Sequence, residues 1–139
     1  MSPLYKEAIY WFLLLAVTTA VYAALVPFIG PIAAQGAFGL LGLGGLQPLL
    51  YRKRGQTVVC DERDIEIAHR ALIAGYSVFW LAFTLGITGL WAALYQGGHS
   101  MVSIHVLPNI VCGGLIVFMT ARAVAIIVQY RLQDAAKGE

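Results

Sequence analysis

The sequence predicts an all-α integral membrane protein, a four-helix bundle built of two antiparallel hairpins with both termini cytoplasmic. Its 139 residues are 60% hydrophobic and 12% charged, whereas about 25% of residues are charged in an ordinary soluble domain. Apolar runs long enough to cross a bilayer occur four times. Basic residues lie almost entirely outside these runs. The length fits a single membrane domain, residues 1–139.

The four apolar runs are the predicted spans, because about 20 apolar residues in a helix cross about 30 Å of hydrocarbon. The spans cover residues 7–28, 32–51, 72–95 and 104–125. Prolines at 27 and 31 separate the first two, since each removes a backbone donor. The turn-rich stretch 96–100 separates the last two. Both connections are short, so each pair of spans is predicted to be an antiparallel hairpin.

The distribution of basic residues predicts the orientation, because short loops rich in Lys and Arg stay on the cytoplasmic side. Apart from Arg122, every Lys and Arg lies in the loop 52–71 or near a chain end, and the hairpin turns contain none. The sequence therefore places the termini and this loop in the cytoplasm, with the protein a multi-pass component of the cytoplasmic (inner) membrane.

Two arginines of the fourth span can be placed by counting helical rises outward from its hairpin turn. Arg122 comes level with about Tyr76, near the cytoplasmic interface, where its side chain can reach the headgroups. Arg131 comes level with residues 64–67, where it can pair with an acid. These counts favour structural or lipid-anchoring roles over substrate binding for both arginines.

A charged segment leads directly into the third span, from Cys60 to Arg70. Asp61 is a predicted N-cap with Asp64 three residues later, as in a capping box. Glu66 and Arg70 have the i, i+4 spacing of a helical ion pair. The third helix is therefore predicted to begin in the cytoplasm, and the candidate partner-binding residues are Asp61, Glu62, Asp64, Glu66 and His69.

Two short stretches carry a resemblance to a known family. Asp61-Glu62-Arg63-Asp64 follows the second span, and Tyr130-Arg131 closes the fourth. In these stretches the chain resembles an uncharacterised family of small prokaryotic four-span membrane proteins. The resemblance implies a four-span fold and brings no established activity.

Polar residues within the fourth span form the second candidate group. His105, Asn109 and Cys112 recur at i, i+4 and i+7 and share a helix face. Polar groups at membrane depth face protein or a cavity, because lipid offers them no partner. We expect them to hydrogen-bond to Thr84 or Thr88 of the third span. With Arg122, the candidate intramembrane polar residues are His105, Asn109 and Arg122.

No catalytic residue, metal site or cofactor is predicted. Glu66 and His69 form a Glu-x-x-His step, but a dimetal site needs a second such step and further carboxylates, which here only a symmetric oligomer would supply. A solvated helix start is the favoured alternative. The sequence leaves open whether His99, His105 or Glu66 with His69 bind a metal or haem.

For function, the sequence favours a non-enzymatic accessory, assembly or sensor protein that acts through helix packing and its charged loop. Its small residues, spaced along every span, permit close helix contacts within the chain, with itself as an oligomer, or with another membrane protein. The alternative is a small homodimeric transporter or channel. The expected partners are the lipid bilayer and a protein, and the formal net charge of +2 is too small to suggest nucleic acid.

Overall fold

The computed structural model describes residues 2–46, 62–98 and 103–135. This part of the chain is helical apart from short turns at the ends of the described ranges and contains no strand, which confirms the all-α prediction. The elements are helix α1 (Pro3–Ala34), a 3-10 helix (Gln35–Leu46), helix α2 (Glu62–Gln96) and helix α3 (Val106–Ala135). The 3-10 helix is called the 3-10 segment below.

Three helical stretches of the described residues are long and apolar enough to cross a membrane. They are Pro3–Leu46, Glu62–Gln96 and Val106–Ala135. Few of their residues are buried inside the chain, and many large apolar side chains, such as Phe28, Leu81 and Trp91, face outward. Such exposed apolar surface is expected where lipid or another protein, and not water, surrounds the helices.

Helix α1 begins with an N-cap and is interrupted near its end. The Ser2 side chain accepts a hydrogen bond from the Leu4 amide at 3.3 Å, and Pro3 occupies the first helical position. Helical geometry fails at Gly30, whose φ of 79° and ψ of 164° suit only glycine. The break therefore falls between Pro27 and Pro31, within the stretch where the sequence predicts the first turn.

After Gly30 the chain reverses, and the 3-10 segment packs antiparallel against α1. The rings of Tyr22 and Phe38 stack with centroids 5.1 Å apart. Closer to the start of α1, the Tyr10 hydroxyl donates to the Leu43 carbonyl at 2.7 Å. The first part of α1 therefore contacts the end of the 3-10 segment, and the later part of α1 contacts the start of the 3-10 segment.

The 3-10 segment differs from the α-helical second span predicted over 32–51. The described residues contain three long α-helices, and the expected fourth is a 12-residue 3-10 helix continuous with α1. Five of those residues are glycine, and glycine costs about 1 kcal/mol per residue in an α-helix relative to alanine. A 3-10 helix rises about 2.0 Å per residue. Residues 47–61, where this span is predicted to end and the loop to begin, lie outside the described residues.

Helix α3 packs against both α1 and α2, and the 3-10 segment packs mainly on α1. Glycines allow the close approach of α2 and α3: a Cβ on Gly75 would lie 3.2 Å from the Arg122 Cβ, and one on Gly114 would lie 2.9 Å from the Phe79 ring. The buried core sits where α1 and α2 begin and α3 ends, and consists of Ala8, Ile67, Ala71, Ala123, Ile126 and Tyr130.

Candidate functional site

Polar side chains from three helices meet beside this core. The residues come from the N-cap of α1, the first turn of α2 and the last turns of α3. They are named the Tyr130 cluster, and its members are Ser2, Arg63, Asp64, Tyr130, Gln133 and Asp134.

Asp64 is the acceptor at the centre of the cluster. Its carboxylate accepts hydrogen bonds from the Ser2 hydroxyl, at 2.7 Å, and from the Tyr130 hydroxyl. The two hydroxyl oxygens are themselves 3.0 Å apart. Because Ser2 caps α1 and Tyr130 lies near the end of α3, a single carboxylate joins all three helices. Hydrogen bonds to an ionised acceptor are about twice as strong as neutral ones.

Arg63 makes a second set of contacts to the end of α3. Its Nε donates to the Gln133 side-chain oxygen at 2.5 Å, and its guanidinium carbon lies 5.3 Å from the centroid of the Tyr130 ring, within cation–π range. A longer ion pair, 3.5 Å, joins Arg63 to Asp134, whose side chain is 72% exposed. Exposure makes that ion pair the weakest of the three contacts.

Tyr130 is held as a neutral donor. It lies five residues beyond the predicted end of the span at 125, and the edge of its ring contacts Tyr5 at a centroid distance of 5.5 Å. Burial, followed by the hydrogen bond to Asp64, raises the pKa of Tyr130 above its ordinary value of 10.0. At neutral pH its hydroxyl therefore keeps the proton that it donates to Asp64.

A polar cavity of about 410 Å³ adjoins the cluster. Two arginines and two aspartates line it, together with Ser2 and the two tyrosines. Arg131 is exposed on its wall, level with Asp64, as the count of helical rises predicts. The residue of α3 that hydrogen-bonds to Asp64 is Tyr130, which directly precedes Arg131.

The predicted loop residues do not act as one group. Asp61 lies outside the described residues, and Asp64 faces inward in the cluster. Glu62, Glu66 and His69 are exposed on α2. Glu66 accepts from Arg70 at 2.5 Å, which confirms the predicted i, i+4 pair.

His105 and Asn109 lie at the opposite end of the molecule, near Gly30. The Asn109 side-chain oxygen accepts from the Tyr22 hydroxyl at 3.3 Å, and the His105 carbonyl accepts from the Gln35 side chain at 2.7 Å. For Asn109 the expected partners, Thr84 and Thr88, were therefore wrong. At this end α3 packs beside α1 and the 3-10 segment as well as beside α2, so α1 and the 3-10 segment supply the partners.

Arg122 lies about three and a half turns of α3 away from Asn109. Its Cβ packs against Gly75, one residue from the position that the sequence predicts. Its Nε is buried and has no hydrogen-bond partner among the described residues.

Metal ligands do not come together in residues 2–46, 62–98 and 103–135. No group of three or more His, Cys, Asp and Glu side chains in these ranges could hold a metal ion. His99 falls outside them, and so its part in any metal or haem site is not described.

Sequence reasoning missed Ser2, Arg63 and Tyr130 as site residues. Ser2 is distant in sequence, and its role depends on where α1 begins relative to α2. Two signals pointed towards Tyr130. It belongs to the Tyr130-Arg131 pair of the family resemblance, and helical counting placed its neighbour level with Asp64. The structure thus brings together the two stretches that carry that resemblance.

In the residues that the structure describes, the protein is all-helical and has three helical stretches suited to crossing a membrane. Comparison of the chain with protein-family models, with curated proteins and with solved structures finds no match. Any assignment of function therefore depends on the geometry described above.

Proposed function

We propose that this protein is a non-enzymatic accessory, assembly or sensor component of the cytoplasmic membrane that binds a partner protein through the first turns of α2. In this proposal the chain crosses the membrane four times. The end with the Tyr130 cluster faces the cytoplasm, in keeping with the Lys and Arg residues near it. The resemblance to small four-span membrane proteins is part of the same proposal.

The observation that carries the proposal is the division of α2's first turns into two faces. Arg63 and Asp64 point inward and bind the ends of α1 and α3. Glu62, Glu66 and His69 follow at i, i+4 and i+7, share one face and are exposed. The inward contacts hold the helix in place, so the outward polar face is pre-organised for a partner.

A partner that fits this face carries basic residues opposite the two carboxylates. Electrostatic complementarity of this kind mainly sets specificity and the rate of association. The Ser2 hydroxyl and the Asp64 carboxylate are in hydrogen-bond contact at 2.7 Å. In this proposal they join helices and do not carry out catalysis, because Asp64 also binds Tyr130 of α3.

Native mass spectrometry of the protein, gently extracted from its own membrane, tests the proposal. The wild-type chain is expected in a heteromeric complex that Glu62→Gln with Glu66→Gln dissociates. Lys6→Gln, on the exposed side of α1, is the matched control and is expected to retain the complex. Circular dichroism confirms that each variant stays helical. A complex that survives the double substitution contradicts the assignment of this face.

A small homodimeric transporter or channel is the second candidate. It is supported by Arg122, a half-buried cation on α3 whose Nε is buried without a partner among the described residues, since charged groups within membrane spans often mark substrate or ion pathways. This candidate predicts a bare homodimer in the mass spectrum, and flux into liposomes that falls in Arg122→Ala. A panel of ions and cations without flux would count against it.

A further inference from the structure

Two hollows follow one another along the same side of α1 and α3. One is the polar cavity beside the Tyr130 cluster, and the other is an apolar groove of about 790 Å³ along the middle of both helices. On α3, Arg131 lines the cavity, and Val124 and Ala121 of the same helix face line the groove. Val128, which lies between them on that face, is exposed. The groove therefore continues the cavity along one open face of α3.

The dimensions of both hollows match one leaflet of a bilayer. Helix α3 has 30 residues and is about 45 Å long, against about 40 to 45 Å for a bilayer with its headgroup regions. When α3 crosses the bilayer, its last turns, which line the polar cavity, therefore reach the headgroups. Helix α1 lines the groove from Phe12 to Ala23. This distance is about 16 Å of helical rise, about half of the 30 Å hydrocarbon core.

The polar cavity carries equal numbers of positive and negative side chains. They are Arg63, Asp64, Arg131 and Asp134. Pockets for anionic headgroups are basic, whereas an anion bound here would meet two carboxylates. A group that contains both an anion and a cation matches this wall better.

Two of the four charges are available to a ligand. Arg131 is exposed, and its guanidinium has no hydrogen-bond or ion-pair partner among the described residues. The Asp134 side chain is 72% exposed and makes only the 3.5 Å pair with Arg63. Arg131 and Asp134 are spaced i, i+3, so their Cβ atoms are about 5 to 6 Å apart. A ligand that binds both needs its own opposite charges close together.

We propose that the cavity and the groove bind one phospholipid of the cytoplasmic leaflet with a phosphoethanolamine headgroup. Arg131 donates to the phosphate, Asp134 accepts from the primary ammonium, and an acyl chain lies in the groove. A primary ammonium has three N–H donors for a carboxylate. A quaternary ammonium has none and binds aromatic faces, but Arg63 already covers the Tyr130 ring. This inference rests on the membrane placement in the proposed function and not on the partner of α2.

Lipid selectivity of the wild-type chain is the first test. Native mass spectrometry of the delipidated full chain in detergent measures the Kd of phosphatidylethanolamine, phosphatidylcholine and phosphatidylglycerol with identical acyl chains. Phosphatidylethanolamine is expected to bind about tenfold tighter than the other two, which is the effect of one hydrogen bond between charged groups. Phosphatidylcholine or phosphatidylglycerol binding as tightly as phosphatidylethanolamine would overturn the proposal.

Two exposed substitutions separate the phosphate contact from the ammonium contact. Arg131→Gln is expected to weaken phosphatidylethanolamine and phosphatidylcholine alike, about tenfold, whereas Asp134→Ala should weaken phosphatidylethanolamine alone. Arg70→Gln, an exposed arginine outside the cavity, is the matched control and should keep the wild-type affinities. Circular dichroism checks that each variant stays helical. An Arg131→Gln chain that binds phosphatidylethanolamine as the Arg70→Gln chain does would overturn the headgroup contact.

The acyl chain is tested by filling the groove. Ala16 is exposed and lines the groove, so Ala16→Phe is expected to lower the affinity for phosphatidylethanolamine about tenfold. Ala24→Phe, exposed on the same helix outside the groove, is the matched control. If Ala16→Phe turns a dimer into a monomer and leaves the lipid affinity unchanged, a second copy covers the groove and the proposal is overturned.

A soluble competitor tests the source of the headgroup. Glycerophosphoethanolamine, which has the same headgroup without acyl chains, is expected not to displace the lipid at equal concentration. Displacement would assign the cavity to a soluble compound and overturn the lipid site.

Failure of this inference can be told apart from failure of the proposed function. Glu62→Gln with Glu66→Gln releases the partner protein in that proposal, but neither residue lines the polar cavity. The double variant is therefore expected to keep its phosphatidylethanolamine, and loss of the lipid would overturn the assignment to this cavity. Absent lipid selectivity beside an intact partner complex overturns the lipid site alone.

Discussion

At the end that holds the Tyr130 cluster, a carboxylate and a guanidinium join three helices, whereas at the Gly30 end the described contacts join neutral groups. Asp64 and Arg63 act at the first end. Tyr22 with Asn109, and Gln35 with a carbonyl, act at the second. Hydrogen bonds to charged groups contribute about 1.5 to 3 kcal/mol, against about 0.5 to 1.5 for neutral ones. The Tyr130 end is therefore the more firmly fixed, and it presents the proposed binding face.

The largest effect is expected from Asp64→Ala. This substitution removes the acceptor of both the Ser2 and Tyr130 hydroxyls, and should lower the free energy of unfolding by about 3 kcal/mol. Denaturant titration in detergent micelles measures it. Glu66→Ala is the matched control, because its exposed i, i+4 pair is worth less than about 0.5 kcal/mol. Equal losses in the two variants would contradict a central role for Asp64.

A substitution that introduces a steric clash between the 3-10 segment and α1 should give the next largest loss of stability. A Cβ on Gly44 would overlap the Trp11 indole, so Gly44→Ala is expected to cost about 2 kcal/mol in the same titration. Gly45, its neighbour, has open space around the Cβ position. Gly45→Ala should change stability by less than about 0.5 kcal/mol. If both variants unfold alike, the 3-10 segment does not pack on α1 as described.

The same chemical change can be made at both ends, which sharpens the comparison. Tyr130→Phe removes a hydroxyl that donates to a carboxylate and is expected to cost about 1.5 to 2 kcal/mol of unfolding free energy. Tyr95→Phe, on an exposed ring that stacks on Trp91, serves as the control and should be nearly neutral. A loss no greater than that of Tyr95→Phe would show that the Asp64 contact contributes little.

Tyr22→Phe is expected to give the smallest effect. Its hydroxyl donates to the neutral Asn109 side chain at 3.3 Å, and its ring keeps its stacking on Phe38. A loss of about 0.5 kcal/mol is expected, measured beside Tyr130→Phe under identical conditions. If Tyr22→Phe is the more damaging of the two, the ranking of the two ends is reversed.

Local sequence patterns were sufficient to predict an interaction that lies within one helix or depends only on the helical rise. The Glu66–Arg70 pair follows from i, i+4 spacing, and the level of Arg122 on α2 was predicted to within one residue. Both depend on the fixed 1.5 Å rise of an α-helix. The break near Gly30 likewise follows from local chemistry, because two prolines flank a glycine there.

Interactions between helices were harder to predict. Thr84 and Thr88 were expected beside Asn109, but Tyr22 donates to it instead. An α-helix was expected where the glycine-rich 3-10 segment lies. The sequence states which residues are polar or small. The partner that each one meets depends on how α3 is rotated between α1 and α2.

Composition and the lengths of the apolar runs were enough to predict that the described part of this protein is helical, because both are properties of each segment alone. The packing of the helices is what brings Ser2, Asp64 and Tyr130 together, turns Glu62, Glu66 and His69 outward, and places Glu7 and Arg122 on the wall of one cavity. Those placements join residues more than 60 positions apart in the chain. Helix rotation and register fix them, and neither is encoded in a local pattern.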